Sequence, residues 1–348
     1  MRIRPTFLIV LAVVVVAAAV TLAVQLRKHA PPEPARLLPG ADAYFYLNLG
    51  WVRKAAGKEL PPVSHDPEYE TFIRDTGFQF ERDLDEAAFA VHYAPRRPGV
   101  DPHTEPEPRF SEVFVGKFDG VRLAAYLKQH ARSVENYESV DIFSIAVEER
   151  TLRVAILGAD SVGASNTDDP AVIRGIVDRS RRLASPFGGP ARLRRFYRRV
   201  QFSSPVWLVA NVDPSSPEFG GWSDFLPHPA DIVISVSYNP LHLPKHQGAI
   251  HLRAEAWTAN SEDARAIVDQ ASAFLASFHS AELAVGGRGS DPDVKAMFDS
   301  LQIRQENDRA LLSATVPPGF LKKLLSESPA AAGSSLSAPA QTQSPAKP

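Results

Sequence analysis

Ala43-Tyr-Phe-Tyr-Leu-Asn-Leu49, a run crowded with aromatic side chains and followed by Gly50, is the stretch on which the fold reading turns. Aromatic residues sit well on a pleated, half-buried surface, so the run predicts a β-strand. Working outward, Ala87 to Tyr93, Ser111 to Phe118 and Arg153 to Leu157 have the same aromatic or β-branched character between turn signals and also predict strands. Between them, Val121 to Ala131 places Val121, Leu123, Ala124 and Leu127 near one helical face, after Asp119 as N-cap. Asp168 or Asp169 before Pro170 opens a second helix, Ala171 to Arg182, because proline favours the first helical turn.

The theme repeats further on. Val206 to Val212, Asp231 to Tyr238 and Ala249 to Trp257 alternate as strands, and a helix follows from Glu262 to Phe278, capped by Asn260 or Ser261. Val294 to Leu301 predicts another helix, Ile303 to Glu306 and Ala310 to Val316 a closing hairpin across Asn307-Asp308, and Pro317 to Leu325 a last short helix. Arg174-Gly-Ile-Val-Asp178 and Arg265-Ala-Ile-Val-Asp269 match at four of five positions, a hint of duplication. The expected fold class is α+β: two similar α/β-sandwich halves with mostly antiparallel sheets, residues 41–202 and 203–325, behind an N-terminal transmembrane helix.

That helix is read from Phe7 to Val24, FLIVLAVVVVAAAVTLAV, eighteen residues without a charge. At 1.5 Å per residue it spans roughly 27 Å, and Gln25 and Leu26 bring it near the ~30 Å hydrocarbon core. A cleaved signal peptide has a shorter apolar core followed by a small-x-small site; here Ala17, Ala18 and Ala19 lie inside the apolar run, which favours an uncleaved anchor over residues 1–29. Arg2 and Arg4 before the span nearly balance Arg27, Lys28 and Arg36 after it. The short N-terminal tail favours export of the rest, which in a bacterium means the periplasmic face of the inner membrane. Residues 30–40, with four prolines between Ala30 and Pro39, predict an extended spacer; Ser326 to Pro348 predicts a disordered tail, and Ala94 to Arg109 a long surface loop.

Composition removes several function classes. The 348 residues carry 38 basic and 40 acidic side chains and no cysteine. Disulfide scaffolds, cysteine zinc sites and thiol nucleophiles all need the missing sulfur. A net charge of −2 argues against a nucleic-acid binder, and no nucleic acid is expected as partner.

The chemistry-bearing patterns are few. Ala159-Asp-Ser161-Val-Gly163 resembles a G-x-S-x-G elbow with alanine first, but Ala164 to Thr167 intervene before the helix, so Ser161 is read as a strand residue before a nucleophile. Gly158 to Gly163 has P-loop glycine spacing without the following lysine. His228, His242, His246 and His251 fall within 24 residues and are the candidate metal ligands, yet Pro244 breaks the helical spacing and no acidic residue lies between positions 232 and 254, which favours loop histidines. Acidic pairs such as Asp83 with Asp85 and Glu86, or Asp291 with Asp293, read as caps and surface charge.

The segment Arg174 to Arg199 holds nine arginines against one acid, Asp178. Within it, Leu193, Phe196, Tyr197 and Val200 recur at i, i+3, i+4, i+7, and arginines occupy the rest. This predicts a basic amphipathic helix whose face, Arg192, Arg194, Arg195, Arg198 and Arg199, contacts anionic lipid or an acidic envelope protein, or is a solvated face over the core.

Leu37-Leu-Pro-Gly-Ala-Asp-Ala-Tyr-Phe-Tyr-Leu-Asn-Leu49, shortly after an anchor and leading into Trp51-Val-Arg53, resembles the "LPADA" opening of uncharacterised membrane-anchored bacterial envelope proteins with an exported α+β domain, departing from it at Gly40. The closing pattern from Ala256 to Phe278 and Asp291 to Val316 is similar too. The resemblance implies no activity, cofactor or site residue. Together these readings predict a non-enzymatic, single-pass envelope protein that binds a protein or lipid partner and needs no cofactor; the alternative is an envelope hydrolase or metal-binding enzyme using Ser161 or the His228 to His251 cluster.

Overall fold

The computed structural model describes residues 30–56, 65–93, 107–181, 188–214, 226–238, 250–285, 292–317 and 319. The chain is an α+β protein built on one continuous sheet of twelve strands, every neighbouring pair of which is antiparallel. In chain order the strands are β1 Ala43–Asn48, β2 Leu84–His92, β3 Arg109–Gly116, β4 Ala131–Tyr137, β5 Val140–Val147, β6 Arg150–Ile156, β7 Ser161–Ser165, β8 Val206–Val212, β9 Ala230–Tyr238, β10 Ile250–Trp257, β11 Gln302–Glu306 and β12 Arg309–Val316. The helices are α1 Glu33–Leu37, α2 Leu49–Ala56, α3 Pro67–Thr76, α4 Phe80–Asp83, α5 Gly120–His130, α6 Ala171–Arg181, α7 Ala191–Phe196, α8 Ser261–Val285 and α9 Pro292–Asp299.

The strand order is β11-β12-β10-β9-β8-β1-β2-β3-β7-β6-β5-β4. This corrects the expectation of two separate sandwiches: strands before and after position 203 occupy opposite wings of a single sheet, joined where β1 pairs with β8 from Ala43↔Ala210 to Leu47↔Val206. Each wing has the same connectivity. A three-strand meander (β1-β2-β3 or β8-β9-β10) runs into helical chain (α5, or α8 and α9), which crosses to the far edge; the remaining strands then return antiparallel until the last pairs with the third. Every strand after each meander is thus tied in by hairpins, with the helical crossing closing the loop.

Period-two alternation splits each strand between two cores. One face carries Tyr44, Tyr46, Ala88, Ala90, Val113, Ile142, Ala155, Trp207, Val209 and Val233, packed against Ile173, Ile176 and Val177 of α6, Leu193 and Phe196 of α7, and Ala35 and Leu37 of α1. The opposite face is covered in patches. Leu123 and Leu127 of α5 lie over Phe143, Val154, Val162 and Ala164, and Ile267 of α8 packs with Ala43, Ala210, Ile232 and Ala256. Phe78 and Leu84 pack with Phe72, Phe89 and Phe114 beside α3 and α4.

Residues 30–40 correct a second expectation. Where an extended spacer is predicted, residues 33–37 form α1, and Ala35, Leu37 and Leu38 are at most 5% exposed. The physical reason is that Pro34 falls in the first helical turn, where its missing N–H costs nothing, so proline content here starts a helix and does not stiffen a linker. Caps elsewhere are as expected: Asp119 Oδ1 accepts from the N–H groups of Val121 and Arg122, and Asp169 Oδ1 from that of Ala171. Among the described residues no helix is long and apolar enough to cross a membrane; the expected anchor, 7–26, the tail, 326–348, most of the 94–109 loop and most of the 317–325 helix lie outside those residues.

Candidate functional site

The arginine segment begins after Pro190, where the Arg194 N–H reaches the Pro190 carbonyl at 3.0 Å. The expected single helix is six residues of α7 followed by a tighter 3₁₀ turn, Tyr197–Arg199. The apolar stripe is real: Leu193 and Phe196 are buried in the main core, and Tyr197 and Val200 pack against it. Arg192 and Arg199 reach partners on the sheet. Arg192 donates to Asp231 on β9 at 3.0 Å, an oxygen that also accepts from Asn211, and the Arg199 guanidinium lies 4.2 Å from the ring centre of Trp257. Arg194, Arg195 and Arg198 are exposed, Arg195 over the ring of its buried neighbour Phe196 at 5.0 Å. Three residues past the turn, Phe202 is 67% exposed.

Trp257 links this segment to a buried charge network. Glu255, only 2% exposed on β10, accepts from Arg309 at 2.9 Å, from Arg253 at 2.7 Å and from the Trp257 indole N–H at 3.0 Å. Arg309 also pairs with Glu306 and lies 5.0 Å from the Trp257 ring centre. Residues 253, 255 and 257 share one sheet face because they alternate along β10, and Trp257↔Arg309 register completes the cluster from β12. A carboxylate this deep is tolerated because two guanidiniums and an indole satisfy its oxygens.

Ser161 opens β7, as the sequence predicts for a strand residue, and its carbonyl accepts from Leu157 in the turn after β6. Its hydroxyl has no histidine or acidic hydrogen-bond partner among the described residues. His242 and His246 lie outside the described residues. His228 approaches Asp263 at 3.7 Å, while His251 meets Thr315 at 3.3 Å, so these two histidines serve different neighbours. Among the described residues no group of three metal-ligating side chains converges.

Two features escape a sequence reading. At the corner between α3 and α4, His65 bridges Glu70 at 2.7 Å and Glu81 at 2.6 Å, and Tyr69 donates to Glu81 at 2.7 Å. Hydrogen bonds to Glu81 and then Glu70 raise the His65 pKa. Burial opposes ionisation of Glu81, but hydrogen bonds from Tyr69, Gln79, the backbone and His65 outweigh it and hold the carboxyl down at about 2.

The second is an open cleft of about 610 Å³ at the end of β1, lined by Asn48, Gly50, Trp51, Arg53, Lys54, Arg82, Asp85, Glu86 and Lys117. Asn48 Oδ1 caps α2 by accepting from the Trp51 N–H at 2.7 Å. Arg53 is pinned: it donates to the Leu84 carbonyl and to Asp85 Oδ1, each at 2.5 Å. Arg82 is held by Asp83 at 2.6 Å. Glu86, half-buried, has its pKa raised first by desolvation, against the opposing hydrogen bond of Tyr46. Only the paired acids Asp83, Asp85 and Glu86 signal this region in sequence, and by spacing alone they look like caps.

The fold and these surfaces define an α+β protein with one antiparallel sheet and a basic segment fastened across it. No protein-family model and no curated protein sequence matches the chain. Among solved structures, crystal forms I, IV and III of the Treponema pallidum protein TP0453 are similar, with TM-scores of 0.40, 0.42 and 0.41. Their identities are 8%, 10% and 10%, and the matches cover 85%, 84% and 86% of this chain and 97%, 96% and 99% of those chains. At this identity no residue role is carried across.

Proposed function

We propose that the chain is a non-enzymatic envelope protein, held in the bacterial inner membrane through residues 7–26, whose exported domain docks on an anionic surface through Arg194, Arg195 and Arg198. The observation that carries this reading is the exposure of three arginines and an aromatic ring on a segment whose apolar side is buried. Buried Leu193 and Phe196 fix the backbone, Arg192 is half-buried against Asp231, and Arg194, Arg195 and Arg198 are exposed on one short segment with Phe202, 67% exposed, three residues beyond the turn. Arginines beside a projecting aromatic suit the headgroup region of a bilayer, which favours anionic lipid over an acidic protein.

Near an anionic leaflet each basic side chain contributes about 1 kcal/mol, so three supply roughly 3 kcal/mol, on the order of a hundredfold in contact equilibrium. Because the chain has no cysteine, Ala191→Cys offers a single labelling position at the exposed start of α7. In full-length protein reconstituted into nanodiscs, an environment-sensitive dye there is expected to shift with phosphatidylglycerol discs and not with phosphatidylcholine discs. The Arg194→Glu/Arg195→Glu/Arg198→Glu variant should lose the shift while keeping its circular dichroism. A shift equal in both lipids, or unchanged by charge reversal, overturns the contact. A reporter fused after Pro348 tests export: activity of a cytoplasm-only reporter would overturn the envelope assignment.

A further inference from the structure

We propose that the cleft at the end of β1 is a binding site for a small acidic saccharide, a hydroxylated sugar ring carrying a carboxylate. Three properties of its wall lead there. The first is charge. Four cations and two carboxylates line the cleft, but Arg53 is spent on Asp85 and Arg82 on Asp83. That leaves the ammonium groups of Lys54 and Lys117, neither of which has a hydrogen-bond or ion-pair partner among the described residues. A cleft rimmed by two lysines without a direct ion-pair partner draws a ligand with negative charge.

The second is the presence of acceptors beside those lysines. A ligand that was only an anion would meet the Glu86 carboxylate on the same wall and leave the acceptor oxygens of Asp85 and Glu86 unused. A sugar hydroxyl donates to a carboxylate and accepts from an ammonium or amide, so a polyhydroxylated acid uses both halves of the wall. Asn48 adds a carboxamide whose position is fixed, because its Oδ1 caps α2 and its Nδ2 reaches the Tyr46 hydroxyl at 3.4 Å.

The third is the plate. Trp51 lines the cleft from the first turn of α2 and is braced at 5.5 Å, edge to face, by Tyr238 from β9. An indole is the side chain best suited to cover the apolar C–H face of a sugar ring, and a braced one loses little freedom on binding. The floor is equally preorganised, because the Arg53 guanidinium ties α2 to β2 through two hydrogen bonds of 2.5 Å. About 610 Å³ leaves room for one or two rings.

The test uses the full-length chain in a sugar-free zwitterionic detergent, titrated calorimetrically with digalacturonic acid, with maltose, and with inorganic phosphate. Saturable binding of digalacturonic acid, at least tenfold tighter than either maltose or phosphate, is expected. Lys54→Ala and Lys117→Ala should each weaken it about tenfold, and Trp51→Ala by more, while Lys295→Ala on α9 leaves it unchanged. Lys54 is exposed at the end of α2, so its removal reads the site without threatening the fold. Phosphate binding as tight as the disaccharide would reduce the site to a charge pair and overturn the saccharide assignment. Equal binding of maltose would overturn the role of the lysines, and no saturable binding by folded protein would overturn the site.

Discussion

Replacing Glu255 by alanine removes the one carboxylate on which Arg253, Arg309 and the Trp257 indole converge. Deleting one partner of a buried ion pair costs about 3–5 kcal/mol when the other charge stays buried. Here Arg253 is a third exposed and can rehydrate, and Arg309, 17% exposed, keeps Glu306. That relief brings the expected cost to about 2–4 kcal/mol. Glu255→Gln keeps the shape and an acceptor for the indole N–H, and should cost roughly half as much. Urea unfolding of the full-length protein in non-denaturing detergent, followed by far-ultraviolet circular dichroism, reads both values. A Glu255→Ala midpoint indistinguishable from the parent would refute the premise that these guanidiniums depend on Glu255. Equal losses for Ala and Gln would show that charge, and not shape, is what the network supplies.

The remaining predictions concern packing, backbone and pH. Leu193→Ala opens space under α7 and should cost about 3 kcal/mol, measurable by the same unfolding assay, with loss of the lipid response since the backbone carrying the arginines loosens. Gly116→Ala would set a methyl 2.5 Å from the Asp83 carbonyl oxygen, backbone that cannot swing aside, so a loss of about 1–3 kcal/mol is expected from the thermal midpoint. For the α3–α4 corner the two titrations bracket a window. Glu81, lowered to about 2, contributes stability that is present above its unfolded value near 4.3 and is lost as pH falls toward 2. His65, raised, contributes stability that is full below about 6.5 and is lost as pH rises through its folded pKa. The protection factors of the α3 amides, exchange rates taken relative to the unfolded chain, should therefore be greatest between about pH 4.5 and 6.5, and His65→Gln should abolish the alkaline loss while also shrinking the acid one, because His65 is among the groups that hold Glu81 down.

Strands with hydrophobic or aromatic runs were legible in the sequence to within a few residues: β1, β8, β9, β10 and the β11–β12 hairpin, whose turn at Asn307 takes φ 56°. The β4–β5 hairpin was not, for two physical reasons. Edge strand β4, Ala131–Tyr137, exposes most of its side chains and so shows no apolar alternation. Its turn is carried by Glu138 and Ser139 at φ 49° and 61°, a left-handed pair that sequence normally announces with Asn or Gly. The sharing of one sheet by both wings was also hidden, since it rests on the β1–β8 pairing, and local patterning carries no information on partners so far apart. Of the site, the amphipathic arginine segment was readable by spacing; that Arg192 and Arg199 reach partners on the sheet depends on Asp231 and Trp257, which only the tertiary structure brings near.

The β1–β8 seam has a kinetic consequence for a chain made from its N-terminus. Once β2 has paired, β1 presents its other edge as a bare row of amides and carbonyls, and its rightful neighbour begins only at Val206, some 158 residues beyond Asn48. At about 5–20 residues per second, that gap corresponds to roughly 8–30 s of synthesis. Throughout that interval the first wing is a half-finished sheet able to recruit the β1 of another copy. Crowding of nascent chains, more than any weakness of the finished fold, is therefore where this architecture is most vulnerable, and a holding chaperone that masks Ala43–Asn48 would raise the yield of folded protein.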